Sequence, residues 1–74
     1  MINTSLRSAK QWYVDAVVGS LILYGYTKRE AKRIVRRYGL KDLLNENVLE
    51  VLHTPIEQTV DEIRTALKKG AITL

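Results

Sequence analysis

The chain contains no cysteine and a single histidine. The first absence excludes a disulfide framework and thiolate chemistry, and the second leaves His53 unable to complete a zinc site by itself. A chain of 74 residues that lacks such staples hides only about 60% of its unfolded surface on folding. It therefore needs every apolar face it has and would gain from a partner or a second copy of itself. The absence of cysteine suits a reducing cytoplasm, which is the expected location. Long apolar runs are missing too. The longest, from Ala16 to Tyr24, is interrupted by Gly19 and Ser20 and falls short of the roughly 20 residues that span a bilayer. The amino-terminal stretch MINTSLRSAK is polar, and Asp15 stands near the start of the apolar run that follows, which is unlike a secretory leader. We read a mature, soluble protein with no membrane span.

No alternating strand pattern occurs, and no repeat longer than a helical turn. What remains is helical. Hydrophobic residues make up 46% and charged ones 27%, a balance that belongs to folded chains rather than disordered ones. The sequence predicts one all-α domain over 1–74, a bundle of about four helices at approximately 5–24, 28–38, 41–53 and 55–69, with flexible ends at 1–4 and 71–74.

The first helix starts near Ser5 or Ser8 and stops at Gly25. Leu6, Ala9, Tyr13, Ala16, Val17, Leu21 and Tyr24 form its apolar arc, which Val14, Val18, Ile22 and Leu23 widen. A helix apolar nearly all round is buried on several sides, so this one is either the central post of a bundle or half of a dimer seam. Trp12 and Tyr13 are assigned to core or dimer packing. The second helix opens on Thr27, with Glu30 three residues on completing a capping box, and closes at Gly39. In the third segment Leu44, Val48, Val51 and Leu52 share a face, while Asn45 and Asn47 could interrupt it and Asn47 with Glu50 could cap a fresh start. For the fourth helix, Thr54, Pro55 and Glu57 read as cap, first-turn proline and capping-box glutamate. Its stripe is Ile56, Val60, Ile63 and Leu67, and Gly70 ends it.

Charge is distributed unevenly. Lys28, Arg29, Lys32, Arg33, Arg36 and Arg37 against Glu30 give residues 28–37 a net +5, whereas the whole chain carries +4, leaving −1 for everything else. At about 100° per residue, the six cations of the second helix occupy an arc of about 0° to 180° from Lys28, and Ala31, Ile34, Val35 and Tyr38 one of about 240° to 340°. Like charges at i and i+4, such as Arg29 with Arg33, each cost a few tenths of a kcal/mol. Solubility alone would be better served by interspersed signs. A face built this way gains when an anion arrives, which points to nucleic acid or an acidic protein surface.

A helix, a turn with glycine and a second helix resembles the DNA-binding helix-turn-helix over residues 17–36. With Gly25 as the turn glycine, Tyr24, Tyr26, Ala31 and Ile34 fall at the family's interhelix contacts; Ser20 and Leu21 depart from its pattern. The resemblance implies groove contacts from Thr27, Lys28 and Arg29, and phosphate contacts from Lys32, Arg33, Arg36 and Arg37. Tyr26 is expected to pack in the turn. A second resemblance, over residues 14–52, is to a ubiquitin-associated-type three-helix domain. It rests on Gly25 with Tyr26, Ala31, and Asn47 with Val48, and it departs at Tyr24 and in the extra residues between Gly39 and Asn47. It implies a protein-interaction module, and the basic helix would then meet an acidic partner or the apolar first helix would pair in a homodimer.

Catalytic and metal-binding residues are not found, and no cofactor is implied. His53 sits where a helix end welcomes an imidazole and has no catalytic partners. Asp42, Glu46 and Glu50 at i+4 spacing read as a solvated face rather than a cation site. The sequence therefore predicts a non-enzymatic binding protein, a DNA-binding regulator or accessory factor that works through its second helix.

Overall fold

The computed structural model describes the backbone of residues 2–74 and the side chains of residues 6–74. Among the described residues every regular element is a helix: α1 (Ile2–Leu23), α2 (Lys28–Tyr38), α3 (Leu40–Glu46), α4 (Val48–His53) and α5 (Ile56–Lys69). No helix among them is long and apolar enough to cross a membrane.

α1 is the post around which the others pack. Tyr13, Val14, Val17, Val18 and Leu21 are buried along one arc, and the helix touches all four of its neighbours. Onto that arc α2 delivers Ala31, Ile34 and Val35, α3 delivers Leu40 and Leu44, and α5 delivers Val60 and Ile63. α4 has no fully buried residue and leans on the core through Val51 and Leu52. The other side of α1 is uncovered. Trp12, next to the fully buried Tyr13, is 62% exposed, and Leu23 is 89% exposed.

The segment expected as one helix over 41–53 is two. Asn47 leaves the helical region (φ −136°, ψ 57°), so α3 stops before it and α4 starts after it, with no side-chain cap from Asn47 on either. With the backbone bent there, Leu40 and Leu44 are buried in the core and the Thr54 carbonyl lies within hydrogen-bond reach of Tyr13. The expected cap of the last helix differs as well. Thr54 donates its hydroxyl back to the Glu50 carbonyl at 2.9 Å, satisfying the end of α4 instead of the start of α5. Pro55, not Thr54, stands at the cap position of α5, again without a side-chain hydrogen bond. At the chain ends, the backbone of residues 2–4 continues α1 and residue 1 lies outside the described residues, while Ile72 packs against the core.

Gly39 makes the α2–α3 corner from one residue. Its left-handed backbone (φ 83°) lets its N–H donate to the Val35 and Arg36 carbonyls at 3.2 and 3.1 Å while its own carbonyl accepts from Leu43 at 3.1 Å. A side chain there would strain that conformation.

Two hydroxyls deep in the core, those of Tyr13 and Thr59, satisfy each other. The Tyr13 hydroxyl donates to the Thr54 carbonyl at 2.8 Å, and since its only hydrogen is used there, the buried Thr59 hydroxyl must donate to the Tyr13 oxygen at 2.7 Å. This knot pins the α4–α5 connection onto α1. Nearby, the Tyr38 hydroxyl donates to the Glu62 carboxylate at 3.1 Å. Burial, and then that carboxylate, raise the Tyr38 phenol above its ordinary 10.0.

Replacing Tyr13 with Phe removes the knot and leaves the Thr59 hydroxyl buried and unpaired, at a cost of about 1–3 kcal/mol. Thermal or urea unfolding of Tyr13→Phe should show that loss, and the double variant Tyr13→Phe, Thr59→Val should recover part of it. An unchanged midpoint in the single variant would contradict the assignment. Thr27→Ala should cost about 1 kcal/mol by the same measurement, through loss of the α2 cap.

Candidate nucleic-acid interface

α2 begins where its sequence says it should. The Glu30 N–H donates to the Thr27 hydroxyl at 3.1 Å, and the Thr27 N–H donates to the Glu30 carboxylate at 2.9 Å, so both halves of the capping box are in place. The turn before it is closed by Gly25 (φ 110°), whose N–H donates to the Ile22 carbonyl at 3.0 Å, and by the Tyr26 N–H donating to the Leu21 carbonyl at 3.2 Å. Tyr26 packs against the core. Tyr24 does not: it is 54% exposed, and the Arg64 guanidinium of α5 sits over its ring at 3.9 Å, a cation–π contact of about 0.5–1 kcal/mol at an exposed site.

With both ends and the inner stripe fixed, the outer face is determined. Lys28, Arg29, Lys32, Arg33, Arg36 and Arg37 are all exposed. Five of them, Lys28, Arg29, Lys32, Arg33 and Arg36, line one open hollow of about 550 Å³. None of the five makes a side-chain hydrogen bond among the described residues. Arg37 differs, donating through Nη1 to the Thr73 hydroxyl at 3.1 Å and so tying α2 to the chain's end. Thr27 stands at the lip of the turn with its hydroxyl oxygen engaged by the cap. Of the seven residues singled out in the sequence, five converge on one hollow, one caps the helix and one braces it.

The hollow does not stop at α2. Lys32 and Arg36 also line a crevice of about 520 Å³ between α1 and the α2–α3 corner, where they meet Lys41, Asp15 and Asp42. Lys41 carried no signal of its own in the sequence, because it lies beyond the basic run in another helix. In chemical terms the whole surface is an open array of donors with no buried nucleophile or base, suited to holding anionic oxygens.

The residues behind the second resemblance are spread differently. Tyr26 is half-buried, α3 intervenes between Gly39 and Asn47, and on α4 Leu49 is 65% exposed. His53 is exposed at the end of α4, and among the described residues no group of three or more His, Asp or Glu side chains could hold a metal ion. Comparison with protein-family models, with curated proteins and with solved structures finds no match to this chain.

Proposed function

We propose that this is a non-enzymatic nucleic-acid-binding protein that holds duplex DNA on the outer face of α2, acting as a small regulator or accessory factor. The observation that carries the reading is the convergence on one capped helix of five exposed cations that have no side-chain hydrogen-bond partner among the described residues. Lys28 and Arg29, at the amino end next to Thr27, are the candidates for base edges, where arginine can grip guanine through two hydrogen bonds. Lys32, Arg33 and Arg36 hold phosphate and set affinity. Arg37, already bound to Thr73, supports the helix and adds charge.

A second reading has its own observation. Trp12 and Leu23, 62% and 89% exposed, stand on the uncovered side of α1 with Ala16 and Gly19 between them. A second copy meeting this face in antiparallel fashion would set Trp12 against Leu23 and Ala16 against Gly19 of its partner, since both pairs share one midpoint. Such a contact is self-complementary, as a two-fold interface requires. This makes the protein a homodimer, alone or while bound to DNA.

Titration of a labelled duplex should show binding at 50 mM salt that weakens about a thousandfold by 200 mM, as expected for about six neutralised phosphates. The triple variant Arg29→Glu, Arg33→Glu, Arg36→Glu should not bind, and absence of wild-type binding at low salt would end the reading. For the second reading, sedimentation should give a dimer that Trp12→Asp converts to monomer; a monomer at every concentration would exclude it.

A further inference from the structure

Three hollows adjoin on one side of the molecule. The crevice beside α2 shares Lys32 and Arg36 with the α2 hollow, and it shares Gln11, Val14 and Lys41 with a third hollow of about 510 Å³ between α1 and α3. That third hollow has cationic walls, Arg7, Lys10 and Lys41, above an apolar floor that includes Val14 and Leu44. Lys10 is steadied at the rim, its ammonium donating to the Asn45 side-chain oxygen at 3.2 Å.

The three cations lie in two helices and up to 34 residues apart in sequence, so only the fold assembles them. Their gathering has an electrostatic counterpart. The joined surface holds eight of the chain's twelve cations and two carboxylates, a net +6, whereas the rest of the chain has four cations and six carboxylates, a net −2. Both carboxylates, Asp15 and Asp42, are in the crevice, and Asp15 accepts from the Gln11 side chain at 2.9 Å. The middle of the surface is therefore weakly charged, and the two ends are strongly positive.

We infer that the α1–α3 hollow is a second phosphate-holding station: a nucleic-acid backbone gripped by α2 crosses the crevice and is held again by Arg7, Lys10 and Lys41. The inference rests on the nucleic-acid reading of α2 and extends its footprint. Asp15 and Asp42 keep phosphate out of the crevice, so the backbone is anchored at two places rather than along a continuous strip. Because the added contacts are to phosphate, they raise affinity without adding sequence preference.

The test is the salt dependence of duplex binding for two variants with the same change in net charge. Lys10→Gln with Lys41→Gln should lower the slope of log affinity against log salt by about 2, at about 0.9 for each lost phosphate contact. Lys68→Gln with Lys69→Gln, at the end of α5 and outside the three hollows, should leave it unchanged. Arg7→Gln with Lys41→Gln keeps the Lys10–Asn45 hydrogen bond and should reproduce the first result, which separates lost contact from lost structure. Equal effects from the groove and α5 pairs, or none from the groove pairs, would overturn the second station. If Arg33→Glu with Arg36→Glu still abolishes binding in that case, α2 stands as the only grip. A wild-type protein that binds no duplex at low salt removes both.

Discussion

Everything in this small fold depends on one arc of α1 being buried against all four other helices. Val17 and Leu21 are wholly enclosed, and Tyr13 nearly so. Among the described residues no other helix meets all the rest, and α1, together with the short α3, couples the packing of α2 to that of α4. A chain this short has no second core to fall back on. The Tyr13 hydroxyl therefore matters beyond its own hydrogen bonds: it ties the α4–α5 connection to the post at the point where α4 contributes no fully buried side chain.

Fixing α2 on that post decides a contest within α2. Lys28 with Lys32, Arg29 with Arg33, Lys32 with Arg36 and Arg33 with Arg37 are like-charged i,i+4 pairs. Together they cost on the order of 1–2 kcal/mol at the isolated-helix scale of about 0.2–0.5 each. The capping box offsets about 1 kcal/mol of this. Fully burying Ile34 and Val35 contributes about 1.5–3 kcal/mol for each side chain. Packing therefore wins by a clear margin, and the repulsion is tolerated without loosening the helix. A polyanion meeting this face would find the helix backbone already ordered, so less backbone entropy would be lost on binding.

How much of this was legible in the sequence varied with the range of the interactions. α2 was readable almost to the residue, because Thr27 with Glu30, Gly39 and the Ala31–Ile34–Val35 stripe are local signals that do not depend on the rest of the fold. The third segment was readable only as alternatives: Asn47 stood out as a possible break, but the apolar periodicity continues across it, and the break it makes carries no side-chain cap. Thr54 misled for a related reason: a threonine hydroxyl between two helices can serve either one, and here the Glu50 carbonyl behind it takes the bond. Trp12 and Tyr13 could not be separated by type, because both edges of α1 are apolar and only packing determines which faces in. The grouping of Lys41 with Lys10 and Arg7 left no trace in the linear charge pattern, which made the basic run look self-contained.

The uncovered side of α1 bears on the basic surface through simple helix geometry. At about 100° per residue, Gly19, Trp12 and Leu23 cluster near one direction, whereas Arg7, Val18 and Gln11, which border the crevice or the hollow beyond it, centre about 120° away around the axis. Covering the Trp12–Leu23 face with a second copy would thus leave the cationic groove open. The proposed pairing and the proposed anion binding would use different sides of one post and would not compete. A two-fold assembly would place two α2 surfaces on one particle, and a duplex engaging both would be held by intramolecular second contacts rather than by one small face. For a chain that concentrates its cations on one short helix, that arrangement would reconcile an exposed tryptophan and a nearly bare leucine with the charge on α2.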